Sequence, residues 1–118
     1  MREERGTVKG NQVISESVDL WGTVVGDVSV VDGGKVYVRG AIYGTLTVYM
    51  GGRVHIYGNV SGNLHVEEGA KVIHSGVLGG DAVNNGGRLY IEANSKVMGR
   101  VKTKDGETKI DAKATVRA

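Results

Sequence analysis

Aliphatic side chains recur at every sixth position along most of the chain: Val18, Val24, Val30, Val36, Ile42, Val48, Val54, Val60, Val66, Val72 and Leu78. An α-helix repeats its apolar stripe every three to four residues and a half-buried strand every second one, so neither alone yields a ladder of six. A longer repeat overlies it. Gly22-Thr-Val-Val-Gly-Asp27 returns as Gly40-Ala-Ile-Tyr-Gly-Thr45, Gly58-Asn-Val-Ser-Gly-Asn63 and Gly76-Val-Leu-Gly-Gly-Asp81, each copy 18 residues after the last. Three sixes make eighteen, so the pattern predicts a three-sided coil with one ladder residue per side. Such a unit cannot bury its apolar face alone and must stack on its neighbours, which is the mark of a β-solenoid.

Each side reads by period two. Val24, Val28, Val30, Val36 and Val38 are predicted to point inward, and Val25, Asp27, Ser29, Tyr37 and Arg39 outward. The next coil repeats the inward set as Ile42, Leu46, Val48, Val54 and Ile56. The third reads Val60, Leu64, Val66, Val72 and His74, with a histidine in an inward place. Spacing drifts at both ends: Gly6-Thr-Val-Lys-Gly-Asn11 precedes Gly22 by 16, and Ser95-Lys-Val-Met-Gly-Arg100 follows Gly76 by 19. A second marker, Gly34-Lys-Val36, Gly52-Arg-Val54, Ala70-Lys-Val72 and Gly87-Arg-Leu89, steps by 18, 18 and 17. That contraction predicts a tighter corner or a bulge around Val83-Asn-Asn-Gly86.

The expected fold is thus all-β: a single-domain parallel β-helix over residues 1–118, right-handed, with about six coils and a length of roughly 25–30 Å at ~4.8 Å per stacked strand. Residues 1–21 form an N-terminal coil, 22–101 the regular coils and 102–118 a C-terminal capping coil. Over 107–117, Thr108, Ile110, Ala112, Ala114 and Val116 alternate with charged and polar residues, predicting one longer strand with a shrinking core. This end reads either as a cap that resists pairing or as an edge left open to polymerise.

Composition narrows the function. Twenty glycines and no proline suit repeated corners and strands paired on both edges. Without cysteine there is no disulfide, thiolate zinc site or cysteine nucleophile. A net charge of +2 is too small and mixed for nucleic-acid binding. No apolar run is long enough to span a bilayer, and the charged start lacks a leader's apolar segment, so a soluble cytoplasmic protein is expected.

The run Gly-x-Val-x-Gly-(Asp/Asn)-(Val/Leu)-x-Val, at Gly22 to Val30 and Gly58 to Val66, resembles the repeat of bactofilins, bacterial polymer-forming cytoskeletal proteins. The resemblance covers about residues 6–101 and implies a right-handed three-sided β-helix that associates end to end. Bactofilin tails and the short apolar targeting peptide of some members have no counterpart here. Hexapeptide acyltransferases share the six-residue ladder in a left-handed coil, but favour a small residue after the aliphatic one. Val25, Val31, Tyr37, Tyr43, Tyr49, His55 and Glu67 fill that place here.

Candidate chemistry is sparse. His55 and His65 are expected outward on different sides and His74 inward, so no two share a metal-binding spacing. Asp27, Thr45, Asn63 and Asp81 stack in one column after the corner glycine, where such side chains bond corner backbone. The strongest constellation is aromatic: Trp21, Tyr37, Arg39, His55 and Tyr57 are predicted to share one flat outward face. That face is either a stacking device or a protein-binding surface. The reading is a non-enzymatic structural, self-assembling protein of bactofilin type with no cofactor and no metal. The alternative is a compact immunity- or inhibitor-like protein that occludes one protein partner through a solenoid face.

Overall fold

The computed structural model describes residues 1–117, and these described residues form eighteen strands, all paired in parallel, and no helix. The chain winds in stacked coils of about 18 residues, each contributing one strand to each of three sides, and so forms a β-solenoid. Side I stacks Arg2–Glu4, Ser17–Leu20, Lys35–Val38, Arg53–Ile56 and Lys71–His74. Side II stacks Thr7–Lys9, Thr23–Val25, Ala41–Tyr43, Asn59–Val60, Val77–Leu78, Lys96–Val97 and Thr115–Val116. Side III stacks Gln12–Ile14, Val28–Val30, Leu46–Val48 and Leu64–Val66. Two ten-residue strands, Ala82–Ile91 and Val101–Ile110, each begin on side III and finish on side I. Six full coils and two sides of a seventh result. The molecule measures 35 × 24 × 21 Å.

All eleven residues of the six-step ladder are buried and stack on one another, as in Val18–Val36–Val54–Val72 and Val24–Ile42–Val60–Leu78. Each branched side chain removed from water contributes ~1.5–3 kcal/mol, and the narrow core is filled almost wholly by Val, Leu and Ile. The glycine repeat has a packing cause. Gly22, Gly40, Gly58 and Gly76 lie one above the other, and a Cβ on each would overlap the carbonyl oxygen of the glycine in the preceding coil. Those carbonyls accept the next coil's backbone N–H, as in Ala41 N–H to Gly22 O at 3.1 Å.

The polar column after the other corner also has a function in the stack. Asn11 Oδ1 accepts the N–H of Asp27, Asp27 Oδ1 that of Thr45, Thr45 Oγ1 that of Asn63, Asn63 Oδ1 that of Asp81, and Asp81 Oδ1 that of Arg100. Four of these bonds are 2.8–2.9 Å long and the one from threonine is 3.4 Å. Each side chain thus satisfies a backbone donor in the following coil rather than in its own, so the column ties coil to coil.

Residues 83–86 hold the irregularity that the spacing predicts. The strand runs unbroken through the corner, its register against Val101–Ile110 shifts at Asn84/Asn85 and Asn85/Arg88, and Gly86 has φ +135°. Asn84 occupies the inward place of Val66 and is fully buried. Its Oδ1 accepts the N–H groups of Gly86 and Gly87, and its Nδ2 lies within 3.1 Å of Gly87 O, Glu107 O and Thr108 Oγ1. In the regular coils the equivalent N–H groups of Gly34, Gly52 and Ala70 donate to the carbonyl three residues back, whereas here Asn84 Oδ1 accepts that of Gly87.

The C-terminal region departs from expectation. In place of one strand over 107–117, the strand Val101–Ile110 is followed by a turn and the short strand Thr115–Val116, which continue the coil path. The turn arises because this corner, like Glu92–Ser95 one coil earlier, holds four residues where the regular coils hold two. No described residue folds over the end, and Ile110 remains 48% exposed although it continues the inward column of Ile91.

Candidate interaction face

Alternation on side I sets its outward residues in parallel columns. One column runs Glu3, Asp19, Tyr37, His55, Ile73, Tyr90, Lys109, in direct register. The corner column beside it carries Arg5, Trp21, Arg39 and Tyr57. The structure therefore brings together all five residues that the sequence places on this face, with Arg39 at their centre. Its Nε donates to Asp19 Oδ1 at 2.7 Å, and its guanidinium lies 4.9 Å from the Trp21 ring, 5.0 Å from Tyr57 and 5.4 Å from Tyr37. Arg5 covers Trp21 from the other side at 5.2 Å. Arg5, Trp21, Arg39 and Tyr57 thus alternate cation with ring up the corner, each such contact adding roughly 0.5–1 kcal/mol at an exposed site. His55 stacks on Tyr57 with centroids 3.9 Å apart.

These contacts make the column a stacking device in its own right. They do not hide it: Trp21 and Tyr57 remain 45% and 44% exposed on a flat surface. Burial holds the His55 imidazole below its ordinary pKa; Glu92 opposes this and Arg39 adds to it. Its Nε2 lies 3.0 Å from Ser75 Oγ.

His65 faces outward on side III and His74 inward, as the register predicts. His74 is 1% exposed; burial pushes its pKa down, and a hydrogen bond to Lys96 O at 3.0 Å pushes it back up. That bond makes Nε2 the donor and leaves the buried Nδ1 with no partner. Among the described residues, no three His, Cys, Asp or Glu side chains cluster closely enough to hold a metal ion, and no helix is long and apolar enough to cross a membrane.

One feature of side I escapes a reading of alternation alone. Lys35, Arg53, Lys71 and Arg88 stack in direct register along its leading edge. Beside them the corner opens into a groove of about 700 Å³ with backbone at its floor, at Gly51, Gly52, Gly69, Gly86 and Gly87. Positive φ at Gly51 (+82°) and Gly69 (+77°) accounts for glycine in the turn. The signal was in the second marker, whose middle residue is basic in all four copies. Compared with family models, curated proteins and solved structures, the chain finds no match in any of the three.

Proposed function

We propose that the protein is a non-enzymatic structural protein of bactofilin type, working in a bacterial cytoplasm and associating end to end into a scaffold. The observation that most supports this is the complementarity of the two ends of side I. Among the described residues, no strand pairs with the outer edge of Arg2–Glu4 or of the 107–110 stretch. Continuing the coil register by one step sets Lys109 of one copy beside Glu3 of the next, and Asp111 beside Arg5. Opposite charges in facing columns favour that register over its alternatives. Ile110 meets Glu4 in the same arrangement. Backbone pairing and charge, not apolar burial, would therefore hold the contact, and salt should weaken it.

Sedimentation velocity and electron microscopy over a range of concentrations test this. Assemblies should grow with concentration, shrink in Lys109→Glu and in Glu3→Lys, and return in the double variant. A protein that stays monomeric throughout, or a charge swap that restores nothing, rules out the end-to-end contact.

A second reading, a compact protein that occludes one partner, is favoured by the exposed rings of Trp21 and Tyr57, residue types that anchor interfaces. In that case Tyr37→Glu or Arg39→Glu weakens association by about 2 kcal/mol or more. Charges introduced at Thr47 or His65 on side III should do little.

A further inference from the structure

We propose that side II is a lateral docking face for a second copy of this chain, which packs on it with its stack running in the opposite direction. Alternation leaves this side two outward columns, one through Ala41, Asn59 and Val77, the other through Val25, Tyr43, Ser61, Gly79 and Met98. Four of these side chains are large, apolar and open to water: Val25, Tyr43, Val77 and Met98. The outward residues from Thr23 to Gly79 are all uncharged, whereas side I carries Lys35, Arg53, Lys71 and Arg88 in one column. Stacked glycines, Gly22 to Gly76 and Gly26 to Gly80, line both long edges and raise no side chain there. Such a flat, apolar, uncharged strip offers a charged partner nothing to recognise and suits another surface of its own kind.

The order of residues along the two columns selects a second copy as the occupant, because the face is complementary to itself. A two-fold axis along the strand Asn59–Val60 sets Asn59 against Asn59, amide to amide, and Ser61 against Ser61. One coil out, Tyr43 meets Gly79 and Ala41 meets Val77, a large residue against a small one each time. Two coils out, Val25 meets Met98, and at the rim the exposed Asp27 meets the exposed Arg100. Each contact occurs twice, as an isologous interface requires. An axis along the stack would instead make the copies parallel and bring both Tyr43 rings to one height. That wedges the faces apart at Tyr43 and leaves a gap at Gly79, whereas the antiparallel pair keeps its spacing even. Three coils out, Lys9 meets Arg117, a repulsive pair that opposes the contact at its two ends. Seven strands at ~4.8 Å and four residue steps of ~3.3 Å give a footprint of roughly 400 Å² per copy. Twice that lies below the ~1,200–2,000 Å² of a standard interface, so single subunits pair weakly and only at high concentration.

This contact is independent of the end-to-end one, and Lys109→Glu, which removes the charge pairing at the ends, isolates it. In that background, sedimentation equilibrium at high protein concentration should show monomers in exchange with dimers. Ser61→Arg, which sets two like charges on the two-fold axis, should weaken the dimer at least about tenfold. Tyr43→Ser, which only removes the ring, should also weaken it, as should Arg100→Glu. Lys9→Glu should tighten it, because Lys9 faces Arg117. Ser61, Tyr43, Arg100 and Lys9 are all exposed, so these variants should melt like the parent, and Lys102→Glu on side III should leave the dimer unchanged. The chain has no cysteine, so an introduced thiol reports on geometry directly. With a short bis-maleimide crosslinker, Ser61→Cys should link to itself and Thr47→Cys on side III should not. A protein that stays monomeric at every concentration, or a dimer unmoved by Ser61→Arg, overturns the proposal. So do links at Thr47→Cys as ready as those at Ser61→Cys, or links that form only when Ser61→Cys is mixed with Asn59→Cys, the sign of a parallel pair. None of these outcomes touches the end-to-end contact, which is read in the parent chain.

Discussion

The coils from Gly22 to Asp81 and those from Ala82 to Arg117 follow the same path by different means. In the first region each coil steps by 18 residues, the inward places are almost all aliphatic, and the corners are small glycine turns. In the second, the step from Val72 to Leu89 is 17 and that from Leu78 to Val97 is 19, and strands run straight through a corner. There, inward places fall to Asn84, Thr103 and Thr108, joined by hydrogen bonds. The comparison teaches that a solenoid tolerates a changed coil length where a buried side chain takes over the corner's backbone hydrogen bonds. His74 sits at the boundary, a polar residue in an apolar column with one nitrogen still unpartnered.

The sharpest way to break the regular region is Val54→Asp. Val54 lies between Val36 and Val72 in the central coil, and an unpaired carboxylate there should cost about 4–5 kcal/mol or more and abolish cooperative folding. Circular dichroism with urea titration checks this; a soluble variant that melts cooperatively would show the register to be wrong.

Asn84→Val separates the two regions directly. Valine is right at the equivalent Val66, but at residue 84 it strips two backbone N–H groups and two carbonyls of their partner. A loss of about 2–4 kcal/mol is expected in denaturant titrations, although the change makes the core more apolar. A stabilised Asn84→Val protein would mean that the corner holds itself.

Along the coil-tying column, Asp27→Ala and Asp81→Ala should each cost about 1 kcal/mol in the same assay. Thr45→Ala, which removes a 3.4 Å bond, should cost clearly less. Equal costs at the three positions would show that the bonds are not what the column contributes.

The smallest effect is the dependence on pH. His74 titrates below its ordinary 6.5 in the folded state, so below that pH the unfolded chain binds the proton first. Its contribution is complete above about pH 6.5 and is lost as pH falls towards the folded value, with a slope of at most about 1.4 kcal/mol per pH unit. In His74→Leu this part of the profile should flatten when melting is followed from pH 7 to 5. His55→Ala should change it less, because His55 is only partly buried. A profile identical to the parent's in His74→Leu would remove His74 as its source.

Most of the fold was legible because a stacked coil repeats its environment, so each inward place asks for the same kind of residue in every turn. Val18 to Leu78 announce the sides, Gly22 to Gly76 the tight corner, and the 17-residue step the anomaly near Asn84. The five residues of the aromatic face could be placed together from register alone. Their order of contact could not, because Arg39 selects among Asp19, Trp21, Tyr37 and Tyr57 by side-chain reach rather than by spacing.

The last coil is less legible for a related reason: alternation over 107–117 looks like one strand, and only stacking on Ile91 and Lys96–Val97 decides where it turns. By itself the sequence determined the periodicity of the coil and the side of each residue, since both follow from a local alternation repeated many times. Tertiary structure alone decided which coil satisfies each polar group. Asp27 bonds the backbone 18 residues ahead, Asn84 reaches Glu107 and Thr108, and Arg53 stands unpaired between Lys35 and Lys71. Those partnerships exist only once neighbouring coils are about 4.8 Å apart, a proximity that arises from stacking.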